Sequence, residues 1–301
     1  MTVAAIVDRL FRTYLYPPDA QPAQCSLNGG ITDTATSLIL DNFVLPEDEL
    51  LMAAGVIIEI NSELIKVITY DSPTLTATLV ERGVMGTTKV AQVDDANVIL
   101  SPPYARLSVF AAVADNIITL YPRLFTVTAG SVIGITSGIA TLDDPLAVEV
   151  VECWPDGTFS SQEVDARIVD FHPSTGGRAL ITNVQVGQVW VRYRRRFGDA
   201  VDESATLASL GMEERWVNIV MAGAAADIFA GRDLPASETR WVGAALEAEN
   251  IPVGTRSSLA RQLAAYRDHL LGLAQREMKA EYRTKIHMRS ATQVVVRSPW
   301  G

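Results

Sequence analysis

The chain has little of what specialised chemistry needs. Of its 301 residues only two are cysteine and three are histidine. Cys25 and Cys153 stand far apart and neither belongs to a CxxC or CxH pair. A disulfide framework or a zinc site is therefore not expected, and the usage fits a chain made in a reducing cytosol. His172, His269 and His287 lack acidic or thiol companions at ligand spacing, and no HExxH is present. Long apolar runs are missing too. The stretch from Ala53 to Ile58 is interrupted by Gly55, and nothing approaches the roughly 18 residues of a membrane span. Asp8, Arg9 and Arg12 break the apolar character of residues 1–16, so no secretory signal is expected there. Charged residues make up 20% of the chain, below the globular average of about 25%. Disorder and supercharging are both excluded as descriptions of the whole.

What the sequence does have is a lopsided charge. Residues 261–301 carry Arg261, Arg267, Arg276, Lys279, Arg283, Lys285, Arg289 and Arg297 against three acids, a balance of +5 within a net charge of −10. The preceding 260 residues hold 17 bases and 32 acids, a balance of −15. A basic end on an acidic body predicts different partners at different ends.

Periodicity organises the rest. Residues 1–16 predict a short amphipathic helix, with Val3, Ile6, Val7, Leu10, Phe11 and Tyr14 on its stripe and Pro17-Pro18 as its stop. A loop is expected from there through Asn28-Gly29-Gly30. Residues 28–102 predict a β module of short β-branched runs, with Asn61-Ser62 at a hairpin tip. Residues 103–124 return to helical spacing, and 125–199 predict a second β module. Residues 204–287 predict a helical domain: a helix over 205–230 with Gly231 past its end, a shorter one over 237–249, and a long one from 257 to 287. At 1.5 Å per residue the last would measure roughly 45 Å. Residues 288–301 predict an extended arm. The fold class is thus α+β: two small sandwich- or barrel-like modules and a C-terminal helical domain ending in a long helix and an arm.

No catalytic constellation emerges. The glycine-rich GSVIGITSG (Gly130–Gly138) lacks the Lys-Ser/Thr of a phosphate loop, and Asp94-Asp95 and Asp143-Asp144 sit where turns favour Asp. No enzyme activity, cofactor or metal is expected. Three features rise above this background. In Glu81-Arg82-Gly83-Val84-Met85-Gly86-Thr87-Thr88 the glycines allow a tight turn, and Arg82 can fold across it onto exposed carbonyls, a conformational clasp. In Val189–Phe197 strand alternation puts Arg192, Arg194 and Arg196 on one face, which suits an acidic neighbouring subunit or DNA. In TQVVVRSPWG the run Val294, Val295, Val296, flanked by Arg289 and Arg297, reads as a strand that augments another chain's sheet, anchored by Trp300. A disordered tail is the alternative.

The pattern Ile58, Ile60, Glu63, Leu64, Ile65 leading to Arg82, Gly83, Gly86 and Thr87 resembles a β module of tailed-bacteriophage neck and tail proteins, IxIxxELI followed by RGxxGT. Gln92 and the Asp94-Asp95-Ala96 turn stand where that module carries a histidine and a glycine. The helical part, ERWVNIVMAGAAADIFAGRD and then LARQLAAYRDHLLGLAQREMKAEYRTKI, resembles head-to-tail connector (adaptor) proteins of long-tailed phages. The resemblance implies a structural virion protein made in the host cytoplasm and placed in the neck. It implies a homo-oligomeric ring, typically twelvefold, that joins the portal to a stopper or tail-completion protein and the capsid, lets genomic dsDNA pass, and touches no membrane. The arm residues above would then bind the portal. Other neck or tail positions, such as stopper, tail terminator or tail tip, use the same module, and a glycan-binding tail protein is a further alternative.

Overall fold

The computed structural model describes residues 1–16, 22–155, 164–170, 178–200, 202–230 and 255–295, with the side chains of the last helix described over 258–280. The architecture is α+β, with a closed six-stranded barrel, a second, half-closed barrel and helices. The chain divides into two compact units: Ala4–Val113 with Ala224–Leu263, and Met1–Val3 with Ala114–Gly223 and Ala264–Gly301.

In the first unit, α1 (Val3–Leu10) buries Ile6, Val7 and Leu10 at the predicted spacing. Beyond it, Phe11–Leu15 form a π-turn, closed by the Tyr16 N–H donating to the Phe11 carbonyl at 2.7 Å. The wider turn shifts the register by a residue, so Leu15 and not Tyr14 is buried. The barrel runs β1 (Gln24–Asn28), β2 (Leu38–Asp41), β3 (Ile57–Ile60), β4 (Glu63–Asp71), β5 (Thr76–Arg82) and β6 (Asn97–Leu100), in spatial order β1-β2-β5-β4-β3-β6. A short helix, α2 (Pro46–Glu49), lies between β2 and β3. Period-two alternation turns Leu38, Leu40, Ile58, Ile60, Ile65, Val67, Val98 and Leu100 into the interior. Ile60 pairs with Glu63 across the Asn61-Ser62 tip, where Asn61 takes a left-handed φ of 56°. The first strand falls where a loop was expected. β1 has only Cys25 and Leu27 to bury among polar neighbours, too little apolar signal to announce itself.

Glu59, on β3, is a buried acid. Its Oε1 accepts the Arg106 backbone N–H at 2.6 Å, so its carboxylate sits on the open N-terminus of α3 (Arg106–Ile118).

The second unit holds β7 (Thr126–Val127), β8 (Ser131–Thr136), β9 (Ile139–Thr141), β10 (Ala147–Pro155), β11 (Ala166–Val169), β12 (Ala179–Thr182) and β13 (Val186–Arg195). Their order is β10-β13-β8-β9-β12-β11, with β7 on β13. The sheet curls until its ends approach, where the Val164 N–H reaches the Cys153 carbonyl at 2.8 Å. Ile135, Ala140, Cys153, Leu180, Val189, Val191 and Tyr193 fill it.

The helix predicted over 205–230 begins only at Val217. Gly211, at φ 70°, and reciprocal Thr206–Ser209 side-chain bonds fold the preceding stretch into turns. Leu207 and Leu210 are buried from those turns, so the apparent helical spacing came from a different local structure. α4 (Val217–Ala230) is then buried on nearly every side, leaving only Asn218, Asp227 and Ala230 exposed.

α5 runs from Thr255 to Val295, 41 residues and roughly 60 Å. This corrects the expected arm, because residues 288–295 are helical and not extended. No glycine or proline occurs between Gly272 and Pro299 to stop the helix, and each β-branched residue costs it less than about 0.7 kcal/mol. The helix expected over 237–249, Gly231, Val296, Arg297 and Trp300 lie outside the described residues, as do the side chains of Arg289, Val294 and Val295.

α5 is tied to the end of α3 by polar contacts. Arg267 Nη2 donates to Thr119 Oγ1 at 3.0 Å, Arg123 pairs with Asp268 at 3.2 Å, and Gln275 Nε2 donates to the Arg123 carbonyl at 3.3 Å. Gly223 of α4 makes room for this contact. A Cβ there would stand 2.0 Å from Asn116 Oδ1 and 2.8 Å from Arg267 Nε. Gly223→Ala should therefore lower stability by about 1–3 kcal/mol in urea denaturation. Gly272→Ala, where a Cβ meets open space, should leave stability unchanged or raise it by up to about 1 kcal/mol.

Candidate functional site

The RGxxGT loop is built from the barrel outward. β4 alternates Glu63, Ile65 and Val67 toward the interior, so an acid enters the core face. β5 ends on Arg82, which also points inward. Arg82 Nε donates to Glu63 Oε1 at 2.6 Å and Nη2 to Oε2 at 2.7 Å, a two-pronged pair whose side chains are 3% and 1% exposed. The guanidinium continues outward: Nη1 donates to the Thr32 carbonyl at 2.8 Å and Nη2 to the Val90 carbonyl at 2.6 Å. Glu63 Oε2 accepts the Val90 N–H at 3.1 Å and the Gln92 side-chain amide at 3.3 Å, and Asn61 Nδ2 holds the Gln92 Oε1 at 2.6 Å.

Between these anchors the loop turns sharply. Gly83, Met85 and Gly86 take φ of 67°, 55° and 80°. Gly83 is also sterically required, since a Cβ would lie 2.9 Å from the Thr87 carbonyl oxygen. Thr87 closes the loop: its Oγ1 accepts the Leu64 N–H at 3.0 Å and donates to the Val84 carbonyl at 2.9 Å. The four residues singled out in the sequence, Arg82, Gly83, Gly86 and Thr87, thus meet in one place as a clasp.

Glu63 is the member that sequence reasoning underused. Burial alone pushes its carboxyl up, but the Arg82 hydrogen bonds, the Val90 N–H, the Arg82 charge and the Gln92 amide together hold it below the ordinary value. The signal was partial: an acid at an inward-facing strand position needs a charged or hydrogen-bonding partner, but the spacing does not say which residue supplies it. Elsewhere in the barrel Cys25 is a free buried thiol, and burial, aided by Asp41 and Asp48, raises it to about 12.

No protein-family model and no curated protein matches this chain.

Of the three arginines expected on one strand face, Arg192 and Arg194 belong to β13, which ends at Arg195. Val191, Tyr193 and Phe197 are buried, while Arg192 and Arg194 sit on the other face and Arg196 is exposed just past the strand. Two of the three have partners inside the fold. Arg192 faces Glu152 of β10 at 3.5 Å and donates to the Thr128 carbonyl, and Arg194 pairs with Glu149 at 2.6 Å while covering the Phe125 ring. Register explains both, since Glu152 opposes Arg192 and Glu149 opposes Arg194. On the inner face Arg195 pairs with Asp144 at 2.6 Å. Burial, then the Asp144 carboxylate, lifts the Tyr193 phenol to about 12.

Among the described residues no group of three or more His, Cys, Asp or Glu side chains is placed to hold a metal. No helix among them is long and apolar enough to cross a membrane.

The clasp makes two predictions. Arg82→Met leaves Glu63 buried without its cation and should cost about 3–5 kcal/mol, measured by urea denaturation. The double variant Glu63→Leu, Arg82→Met should cost much less than the two single changes added together. The second concerns pH. Because Glu63 titrates lower when folded than its ordinary 4.5, its stabilisation is complete above that value and is lost as pH falls through the folded one. Melting followed from pH 7 to pH 2 should show this acid-side loss in the wild type and a smaller one in Glu63→Gln.

Proposed function

We propose that this chain is a structural protein of a tailed-phage virion, and within that class the head-to-tail adaptor that forms a ring beneath the portal. The observation that carries the reading is the clasp. The residues that match the phage neck and tail module, Glu63, Arg82, Gly83, Gly86 and Thr87, act together on one loop, each spent on its shape. A rigid surface loop on a small barrel suits assembly.

Two further features support the adaptor position. α5 is a long helix whose described buried positions, Ala260, Leu263, Leu271 and Ala274, end before residue 275. Beyond that point it carries Arg276, Lys279, Arg283, Lys285 and Arg289 against Glu277 and Glu281. A basic helical end of this kind suits an acidic docking surface on the portal. The acidic remainder of the chain suits a channel through which DNA slides, because like charge prevents the counterion release that drives adhesion. The ring, the portal, the stopper and the passing genome are the partners this reading assigns.

The test is a truncation read by mass photometry. The full chain should add to purified portal rings as a higher-order ring. The chain ending at His287 should keep its melting temperature and lose that addition. Undiminished addition by the truncated chain would remove the C-terminal segment from the contact, and a full chain that ignores portal rings would remove the adaptor assignment.

A further inference from the structure

We propose that Thr88–Ala91 is an open strand edge that captures an extended, basic, β-branched segment of a partner protein. The inference rests on the barrel's clasp and not on the adaptor reading. Backbone direction carries it. Val90 donates its N–H to Glu63 Oε2 at 3.1 Å and receives Arg82 Nη2 on its carbonyl at 2.6 Å. Two residues on, Gln92 exchanges both of its backbone bonds with Ile31, at 2.8 and 2.9 Å. The donors and acceptors of these alternate residues therefore point into the protein.

In an extended chain the residues between them point theirs the other way. That leaves the N–H and C=O groups of Lys89 and Ala91 facing outward, and among the described residues neither makes a backbone hydrogen bond. Thr88, Lys89, Val90 and Ala91 are all exposed. An edge of this kind is a template for a further strand unless proline, a bulge or charge blunts it, and only Lys89 stands guard here. The buried ion pair holds both backbone groups of Val90, so the edge is ordered before anything binds, and that lowers the entropic cost of capture.

The surroundings select the occupant. Met85, Val90 and Val93 are 73%, 50% and 71% exposed and offer contacts to β-branched side chains. A cleft of about 310 Å³ lined by Asn61, Ser62, Thr88, Val90, Ala91 and Leu107 adjoins the edge and can take one of them. Exposed Glu81, Asp94 and Asp95 flank it, within a module whose residues 22–102 hold 11 acids and 3 bases. Charge complementarity calls for a basic strand.

Two acetylated peptides of one pattern, KVTVRVK and EVTVEVE, test this by calorimetry against the full-length protein. The basic peptide should bind at least tenfold more tightly, and hydrogen exchange should show new protection at the Lys89 and Ala91 amides. A basic peptide N-methylated at alternate amides should lose at least tenfold in affinity, a change that leaves the protein untouched. Ala91→Pro, which removes one outward N–H, should lose as much while keeping its melting temperature. No binding by the basic peptide, equal binding by the acidic one, or indifference to N-methylation would overturn the proposal.

Discussion

The pairing of Glu63 with Arg82 inside the barrel holds four separate stretches of chain in one arrangement. Two charges in an apolar interior are expensive unless each remaining donor and acceptor finds a partner. Here Arg82 spends its surplus donors on the Thr32 and Val90 carbonyls, and Glu63 spends its surplus oxygen on Val90 and Gln92. The loop before β2, the start of β4, the end of β5 and the segment before β6 are thereby tied to a single point. The turn between Arg82 and Thr87 must then fit the space that remains, which is why three of its residues adopt left-handed backbone.

The half-closed barrel uses charge differently. Arg192 and Arg194 pair with Glu152 and Glu149 across neighbouring strands, on a face that water partly reaches. Pairs of that kind contribute little to stability, typically below about 1 kcal/mol. Their effect is on register and on what the surface offers: two arginines that looked available for an outside partner are already engaged, and Arg196 is left exposed. Arg195 and Asp144, on the inner side beside Tyr193, are more sheltered than Arg194 and Glu149 but not more than Arg192 and Glu152.

How far the sequence revealed this depended on whether a residue's signal was local. Alternation in Ile58–Ile60 and Ile65–Val67, the Asn61-Ser62 tip and the change to helical spacing after Pro103 were all legible, because each is set by neighbours along the chain. The RGxxGT residues were legible as a clasp for the same reason. Glu63 was not assigned as the partner of Arg82, which lies 19 residues away, since that pairing exists only once β4 and β5 are side by side. Helical boundaries failed where two local structures share a spacing. Leu207 and Leu210 are buried from turns as readily as from a helix. Residues 288–295 show the opposite failure: valine and threonine suggested a strand, but their propensity cost is too small to stop an established helix, which also runs through Gly272.

That last point changes the kind of contact the C-terminal segment can make. A strand recognises a partner through its own backbone, whereas a helix has already satisfied its backbone and must be recognised through side chains in a groove. Under the adaptor reading, the basic end through Val295 would therefore be read by shape and charge, with acidic groups on the receiving surface. The barrel offers the reverse: at Lys89 and Ala91 it presents backbone groups, held outward by the buried ion pair, and surrounds them with carboxylates. One chain then carries a basic element that is complete in its hydrogen bonding and an acidic element that is not. Under the two proposals these elements call for unlike partners, because one suited to the basic helix has neither the charge nor the geometry for the acidic edge.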